Sequence, residues 1–326
     1  MVSDRTATVW RRLAWRLETL GYDLAALVLR ALSLDTASGL GGAVLEAFGP
    51  ITRRQRIVLR NLELAFPEKT DSERSEIARQ HWNQLGRTFV EFPLMDRLTP
   101  SSGRVEVVGM ERLKRLAEAG EPAVLISGHL SNWEVMMAVI VESGLKCRVS
   151  YRPANNPHVD RRITESRRRY GVELFAAKGG DGTRELLAAL NRGEAVAMLN
   201  DQRDNAGVEA PFFGWLVRTA PGPSRFALKY GGRLVPMSVA RLKGARFRVT
   251  IHESIVVQAS GDRAKDMQAA VAAINAFVEA RIRERPAEWM WAHRRWPLDC
   301  YENAAGLETL ASGSSLRRQG PVNAGS

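Results

Sequence analysis

The sequence predicts an α/β fold, a mixed central sheet covered by helices on both faces, preceded by an N-terminal helical region. Three observations carry this reading. From residue 105 to 285, short apolar runs alternate with longer amphipathic ones, the pattern of strands and helices that build such a sheet. One run, Ala123-Val124-Leu125-Ile126-Ser127, is small or apolar throughout and stops at Gly128, so it reads as a buried strand entering a sharp turn. The first 34 residues instead carry one apolar stripe at helical spacing.

That stripe is Trp10, Leu13, Leu17, Leu20, Leu24, Leu27, Ala31 and Leu34, in steps of three and four, with Arg11, Arg12, Arg16 and Arg30 off it. Its longest unbroken apolar run is 24–29, far short of the roughly 18–20 residues that span a bilayer. No small-residue cleavage site follows a compact apolar core, which argues against a signal peptide. The helix either lies in a membrane interface with its arginines at phosphates or packs on the domain. Gly39, Gly41, Gly42, Gly49 and Pro50 are expected to break the helical pattern. Residues 53–66 read as a basic amphipathic helix ended by Pro67. Asp71 or Ser72 can cap the next helix, which runs to about residue 95 with Trp82, Leu85 and Phe89 on one face. Strands are then expected at 105–108, 123–127, 147–151, 172–175, 195–199, 234–240 and 247–257, and helices at 111–119, 132–143, 159–170, 183–191, 223–230 and 262–285. After Cys300 the Gly-, Ser- and Ala-rich tail reads as disordered. The expected division is 1–50, helical; 51–300, the main domain; 301–326, tail.

Composition bounds the function classes. A chain of 326 residues with 45% apolar and 25% charged residues is an ordinary globular protein of one large or two small domains. A net charge of +11, mostly arginine, points to an anionic partner. Nucleic acid is the weakest such partner, because the aromatic residues near arginine form no recognised binding motif. The two cysteines, Cys147 and Cys300, fit a reducing compartment and not a disulfide framework. The five histidines stand in no metal-ligand spacing, so neither a metal nor a cofactor is expected.

The chemistry concentrates after the 123–127 strand. His129 stands at a strand's carboxyl end, where open α/β sheets bind ligands, and Glu134 follows five positions on. That step spans about 140° on a regular helix, so the two meet only if His129 lies in the turn and Glu134 in the first helical turn. An imidazole oriented by a carboxylate is a general base. Equally, Ser131-x-x-Glu134 is a capping box. Arg152 follows a strand and precedes Pro153; it can bind a phosphate or neutralise an oxyanion, or sit in a structural ion pair. Asp201 also follows a strand and can orient Arg152 or a substrate group, or shape a turn. Arg161, Arg162, Arg167, Arg168 and Arg169 form either a docking face for an acidic protein or a solvated face. Lys178-Gly179-Gly180-Asp181-Gly182-Thr183 lacks the Gly-Lys-Ser/Thr of a phosphate loop and reads as a turn into a helix. Phe212-Phe213-Gly214-Trp215 either lines an apolar pocket or packs in the core. Trp289, Trp291 and Trp296 beside Arg294 and Arg295 suit a membrane interface or a cation–π stack. His293 is a second candidate base, ranked below His129 because no carboxylate is spaced to orient it.

Gly128-His129-Leu130-Ser131-Asn132-Trp133-Glu134 resembles the H-x4-[D/E] motif of glycerolipid acyltransferases, and more narrowly the late acyltransferases of lipid A biosynthesis. Tyr151-Arg152-Pro153-Ala154-Asn155-Asn156-Pro157, Asn200-Asp201-Gln202, Pro211-Phe212-Phe213-Gly214 and Trp289-Met290-Trp291-Ala292-His293-Arg294-Arg295-Trp296 match that family in the same order. The resemblance implies transfer of a fatty acyl chain from acyl carrier protein to a hydroxyl of an anionic lipid A precursor at the cytoplasmic face of the inner membrane. It implies His129 as base, Glu134 as its partner, and Arg152 and Asp201 in the site; Asn132 and Gln202, from the same blocks, are further substrate-binding candidates. It favours the membrane surface as the seat of the N-terminal helix, although family members usually begin with a clear membrane-spanning helix. No Ser or Cys nucleophile stands in an elbow or triad, so direct attack on the thioester is expected. The alternatives are acylation of another glycolipid or a lysophospholipid from acyl-coenzyme A, and a non-catalytic basic membrane-binding protein.

Overall fold

The computed structural model describes residues 8–176, 180–231, 233–257 and 260–302. The expected tail lies outside the described residues except at its first two positions, and so do Lys178 and Gly179. Four helices come first: α1 (Val9–Ala31), α2 (Leu34–Phe48), α3 (Gln55–Ala65) and α4 (Asp71–Glu91). Thr70 and Glu73 form a reciprocal capping box at the start of α4. Of the residues expected to break the chain, Gly39, Gly41 and Gly42 instead lie inside α2, while Gly49 and Pro50 end it as expected. Gly41 lets α2 approach α4 closely: a Cβ on Gly86 would sit 2.1 Å from the Gly41 carbonyl oxygen, and one on Gly41 2.4 Å from Val90. Helix propensity gives way here to packing that only glycine allows.

The remaining elements are β1 (Val105–Val108), α5 (Met110–Ala119), β2 (Val124–Ser127), α6 (Val135–Glu142), β3 (Cys147–Tyr151), α7 (Pro157–Arg169), β4 (Glu173–Ala176), α8 (Gly180–Asn191), β5 (Ala195–Leu199), β6 (Arg203–Phe212), β7 (Trp215–Thr219), α9 (Gly222–Lys229), β8 (Arg233–Arg241), β9 (Phe247–Ile251), β10 (Ile255–Val256), α10 (Arg263–Glu284) and α11 (Asp299–Glu302). The sheet order is β1-β9-β8-β2-β5-β3-β4, with β10 paired to the start of β8. Strands β8, β2, β5, β3 and β4 run parallel, while β9 is antiparallel to β8, so the sheet is mixed. The single strand expected at 247–257 is interrupted at 252–254, where the chain turns to pair β10 with β8. The Phe212-Phe213-Gly214-Trp215 segment is the tip of a separate β6–β7 hairpin, turned by positive φ at Phe213 and Gly214.

Alternation along β2 divides the core. Leu125 packs in a large cluster with Val135, Met136 and Val139 of α6, and Val124 and Ile126 pack in a second with Leu186 of α8, Phe226 of α9 and Ile274 of α10. Helices therefore cover both faces of these central strands. The pairing of β2 with β5 in register Ser127↔Leu199 decides where chemistry can occur. Gly128-His129 and Asn200-Asp201 leave the sheet side by side, at the carboxyl ends of neighbouring parallel strands.

Candidate active site

His129 lies in the turn after β2, its side chain 15% exposed, beside the fully buried Asp201. Its ring Nδ1 lies 2.6 Å from Asp201 Oδ1, and its backbone N–H donates to Oδ2 at 2.7 Å. A carboxylate accepts only, so the short contact fixes the tautomer with the proton on Nδ1 and leaves Nε2 as the basic nitrogen. The indole of Trp289 donates a further bond to Asp201 Oδ2, at 2.7 Å. Burial pushes the Asp201 carboxyl up, but the His129 ring and the hydrogen bonds it donates, with His293 behind, hold it net well below the usual carboxylate range. The pair is thus an ionised acceptor beneath an oriented imidazole. The ring also meets Trp133 edge-on, with centroids 4.9 Å apart.

His129 opens onto a cavity of about 460 Å³, within the range of ordinary ligand pockets. Its walls include Leu125, Met136, Met137, Ile140, Val149 and Met237, and its polar residues include Arg152, Asp160, Arg167 and Gln202. A larger cavity, about 1070 Å³, lies towards α8, α9 and α10. It shares Ser150 and Met198 with the first but contains neither His129 nor Asp201. The candidate site is therefore the smaller one, which His129 lines.

The structure redistributes the expected site residues. Glu134 does not bond to His129. Its carboxylate forms a bidentate pair with Arg167 of α7, Nε to Oε2 at 2.9 Å and a second, shorter bond to Oε1. Nor is the capping box made: Ser131 has φ 47°, and no side chain caps α6. Glu134 takes the cap position of a helix that starts at Val135, and from there its side chain reaches α7 rather than back to the turn. Asp201, expected near Arg152 or substrate, is instead the partner of His129. Asn132 is fully buried and donates to Glu91 Oε2 at 2.9 Å. That carboxylate also pairs with the buried Arg241 and accepts from Ser38. Asn132 therefore belongs to the packing of α4 against the sheet and does not line the cavity. Arg152 and Gln202 do line it; Arg152 is exposed and forms no ion pair among the described residues.

The remaining candidates separate by burial. Of the arginines on α7, Arg162 pairs with Asp23 of α1 and Arg167 with Glu134, while Arg161, Arg168 and Arg169 stay exposed. Phe212 and Phe213 are core residues, not pocket lining. Trp289, Trp291 and Trp296 are fully buried, and Arg295 stacks 4.8 Å from the Phe212 ring, so this segment is a cation–π core and not a membrane belt. Burial lowers His293 to about 4 and leaves it neutral, with its Nδ1–H donated to the Met290 carbonyl at 2.6 Å. Both thiols are pushed up by burial, which suits neither to act as a nucleophile.

What the sequence did not supply is how this distant segment reaches the His129 turn. Ser131 N–H donates to the Glu288 carbonyl at 2.6 Å, and Met290 N–H to the His129 carbonyl at 3.1 Å. Nothing in local spacing signals a pairing across some 160 residues; the only hint is the density of tryptophan.

Comparison with known proteins identifies the family. Residues 17–297 match the family described as bacterial lipid A biosynthesis acyltransferase. The chain is 28% identical to the lipid A biosynthesis palmitoleoyltransferase of Escherichia coli K12 over 267 residues, 78% of this chain and 82% of that one. It is 28% identical to the lauroyltransferase of the same organism over 253 residues, covering 75% and 79%. It is also 24% identical to the phosphatidylinositol mannoside acyltransferase of Mycolicibacterium smegmatis over 291 residues, covering 86% and 91%.

Proposed function

The chain belongs to the bacterial lipid A biosynthesis acyltransferases, and on that premise we propose that it moves a fatty acyl chain from acyl carrier protein to a hydroxyl of a lipid A precursor, with His129 as general base and Asp201 as its orienting carboxylate. The observation that carries this reading is the 2.6 Å contact between His129 Nδ1 and Asp201, which directs Nε2 chemistry to an apolar-walled cavity. His129 Nε2 takes the proton of the acceptor hydroxyl as its oxygen attacks the thioester carbonyl carbon. The tetrahedral intermediate collapses, the C–S bond breaks, and the proton passes from the imidazolium to the departing thiolate. The products are an ester and a free thiol. A thiol of pKa about 8–9 leaves with little assistance. The methionine- and leucine-walled cavity accommodates the acyl chain, and Arg152 and Gln202 meet polar groups of the substrates at its edge.

The N-terminal helices suit a membrane surface. No described helix is long and apolar enough to cross a bilayer, yet α1 exposes Trp10 (80%), Leu17 (62%), Leu20, Leu24 and Leu27, and the chain continues the apolar exposure through Val44, Phe48 and Ile51. The opposite side of α1 is tied to α7: Asn156 donates to the Trp15 carbonyl and Arg162 pairs with Asp23. Helix α7 contributes Asp160, Ile163 and Arg167 to the cavity. A helix lying in the interface of the inner membrane's cytoplasmic leaflet would hold the cavity beside its lipid acceptor. Vesicle flotation should fall with Leu17→Glu/Leu20→Glu while activity in detergent persists; flotation unchanged by these substitutions removes α1 as the membrane contact.

The deciding experiment is acyl transfer by the purified protein in detergent, with acyl carrier proteins of several chain lengths, a Kdo-bearing lipid A precursor, and His129→Ala in parallel. Loss of the base should lower the rate by about 10²–10⁴; wild-type turnover in His129→Ala would sink the mechanism. One observation favours a second acceptor class: the mannoside acyltransferase match covers more of this chain than either E. coli match. Acylation of a mannosylated phosphoinositide from acyl-coenzyme A, with none of the lipid A precursor, would move the assignment to that class.

A further inference from the structure

We propose that Trp289 is a positioning residue of the catalytic base, acting through Asp201. Three donors converge on the Asp201 carboxylate: the His129 ring on Oδ1, and the His129 backbone N–H and the Trp289 indole N–H on Oδ2, the last two both at 2.7 Å. Trp289 is fully buried and does not line the cavity, so its side chain bears on His129 through this bond to Asp201. Its chain is pinned to the same turn, because residue 289 bridges Leu130 and Met290 N–H donates to the His129 carbonyl. The segment after α10 thereby closes both the back of the carboxylate and the backbone of the base. Without the indole donor, Oδ2 keeps one protein partner, so the carboxylate holds the ring less firmly in line, which slows the reaction. Its negative charge, still bonded to Nδ1, is less dispersed and holds the imidazolium proton to higher pH.

The other titratable and charged groups around the pair do not provide that change. His293 and Arg295 come from the same C-terminal segment, His81 of α4 lies behind His293, and Glu134 and Arg167 line the cavity. Burial keeps His81 (about 3) and His293 (about 4) neutral through the working range and leaves Arg295 (about 10) charged.

This inference rests on His129 acting as the base, and the test separates the two. In Trp289→Phe, kcat should fall about 10- to 100-fold, the loss expected for one hydrogen bond to a charged group, with KM for the acyl donor unchanged. The acid limb of its pH–rate profile should move up by roughly half to one pH unit. Trp291 provides the control. It is equally buried, with its indole bonded to the Pro286 carbonyl at 2.7 Å, so Trp291→Phe loses a comparable bond and should leave the limb where it was. NMR of the full-length protein in detergent adds a measurement that needs no variant: the Trp289 indole N–H resonance should titrate with the His129 ring. A Trp289→Phe limb that stays in place, or an indole resonance indifferent to His129, overturns the proposal while leaving His129 as base. Wild-type activity in His129→Ala overturns the underlying mechanism instead.

Discussion

Two carboxylates stand near the His129 turn, and they differ in what they touch. Asp201 has both oxygens filled by donors belonging to His129 and Trp289. Glu134, five residues from His129 in sequence, is bonded to Arg167 across the cavity. The closer residue in sequence is the more distant in function, because β2 and β5 lie side by side while a helix start turns its first side chains away. The contrast divides the roles within the proposed mechanism: Asp201 is bonded where it would orient His129, and Glu134 ties the turn to α7, a wall of the cavity.

The strongest way to break that assignment is to neutralise each carboxylate in turn. Asp201→Asn keeps the shape but loses the charge, and its amide can present a donor to Nδ1, favouring the wrong tautomer. Activity should fall about 10⁴-fold, the magnitude typical of an orienting aspartate in such a pair, with the folded state retained. Glu134→Gln should act on stability before rate. Removing one partner of a buried ion pair costs about 3–5 kcal/mol, so thermal unfolding should come earlier, and Arg167→Met in the same chain should restore much of the loss. If instead Glu134→Gln lost activity as Asp201→Asn does while its melting temperature stayed put, the division of roles would be wrong.

Acid sharpens the comparison further. The folded Asp201 carboxyl lies below its unfolded value, so the stability it contributes is present above about pH 4 and is lost as pH falls through the folded value. His81 and His293, buried behind it, are also depressed, to about 3 and about 4. For these bases the unfolded chain binds the proton first, so stability is lost from about pH 6.5 downward, at up to about 1.4 kcal/mol per pH unit for each. The wild type should therefore begin to lose melting temperature near pH 6, above the carboxylate range. His293→Phe should lessen the slope of that first segment, which His81 also carries, and leave the lower one.

How much of this was legible depended on range. The strand before His129 was readable because 123–127 is apolar and Gly128 ends it; neither feature needs a distant partner. The helices of the α/β region are similarly local. Asp201 stood out as a strand-end residue, but its partner became visible only through the register Ser127↔Leu199, which no local pattern encodes. Asn132 was misassigned for the same reason, since the carboxylate that holds it, Glu91, is 41 residues away. Helix α2 was missed because glycine reads locally as a breaker, whereas its reason to be there, Gly86 on the facing helix, is also distant. The tryptophans at 289 and 291 and those near the N terminus look alike in composition. Whether each faces solvent or core was settled only by the packing around it.

The smallest effect expected is at Gly128, and it tests how tightly Asp201 must hold the turn. Gly128 is not needed there for a positive φ; it is needed for space. A Cβ at that position would lie 3.1 Å from Asp201 Oδ2 and 3.2 Å from a Val278 methyl of α10. Val278 is fully packed, so the carboxylate is the neighbour able to give way, by a few tenths of an ångström. Such a shift lengthens the bonds to the His129 and Trp289 N–H groups without removing a charge, and hydrogen bonds at 2.7 Å weaken as they stretch. Gly128→Ala should therefore fold, bind the donor normally and lose about tenfold in kcat, roughly 1.4 kcal/mol of barrier. Glu134 is bonded to Arg167 and not to Asp201, so combining Gly128→Ala with Glu134→Gln should give additive effects, whereas adding it to Asp201→Asn should cost nothing more. Additivity with Asp201→Asn would mean that the glycine acts on the turn by some route other than the carboxylate.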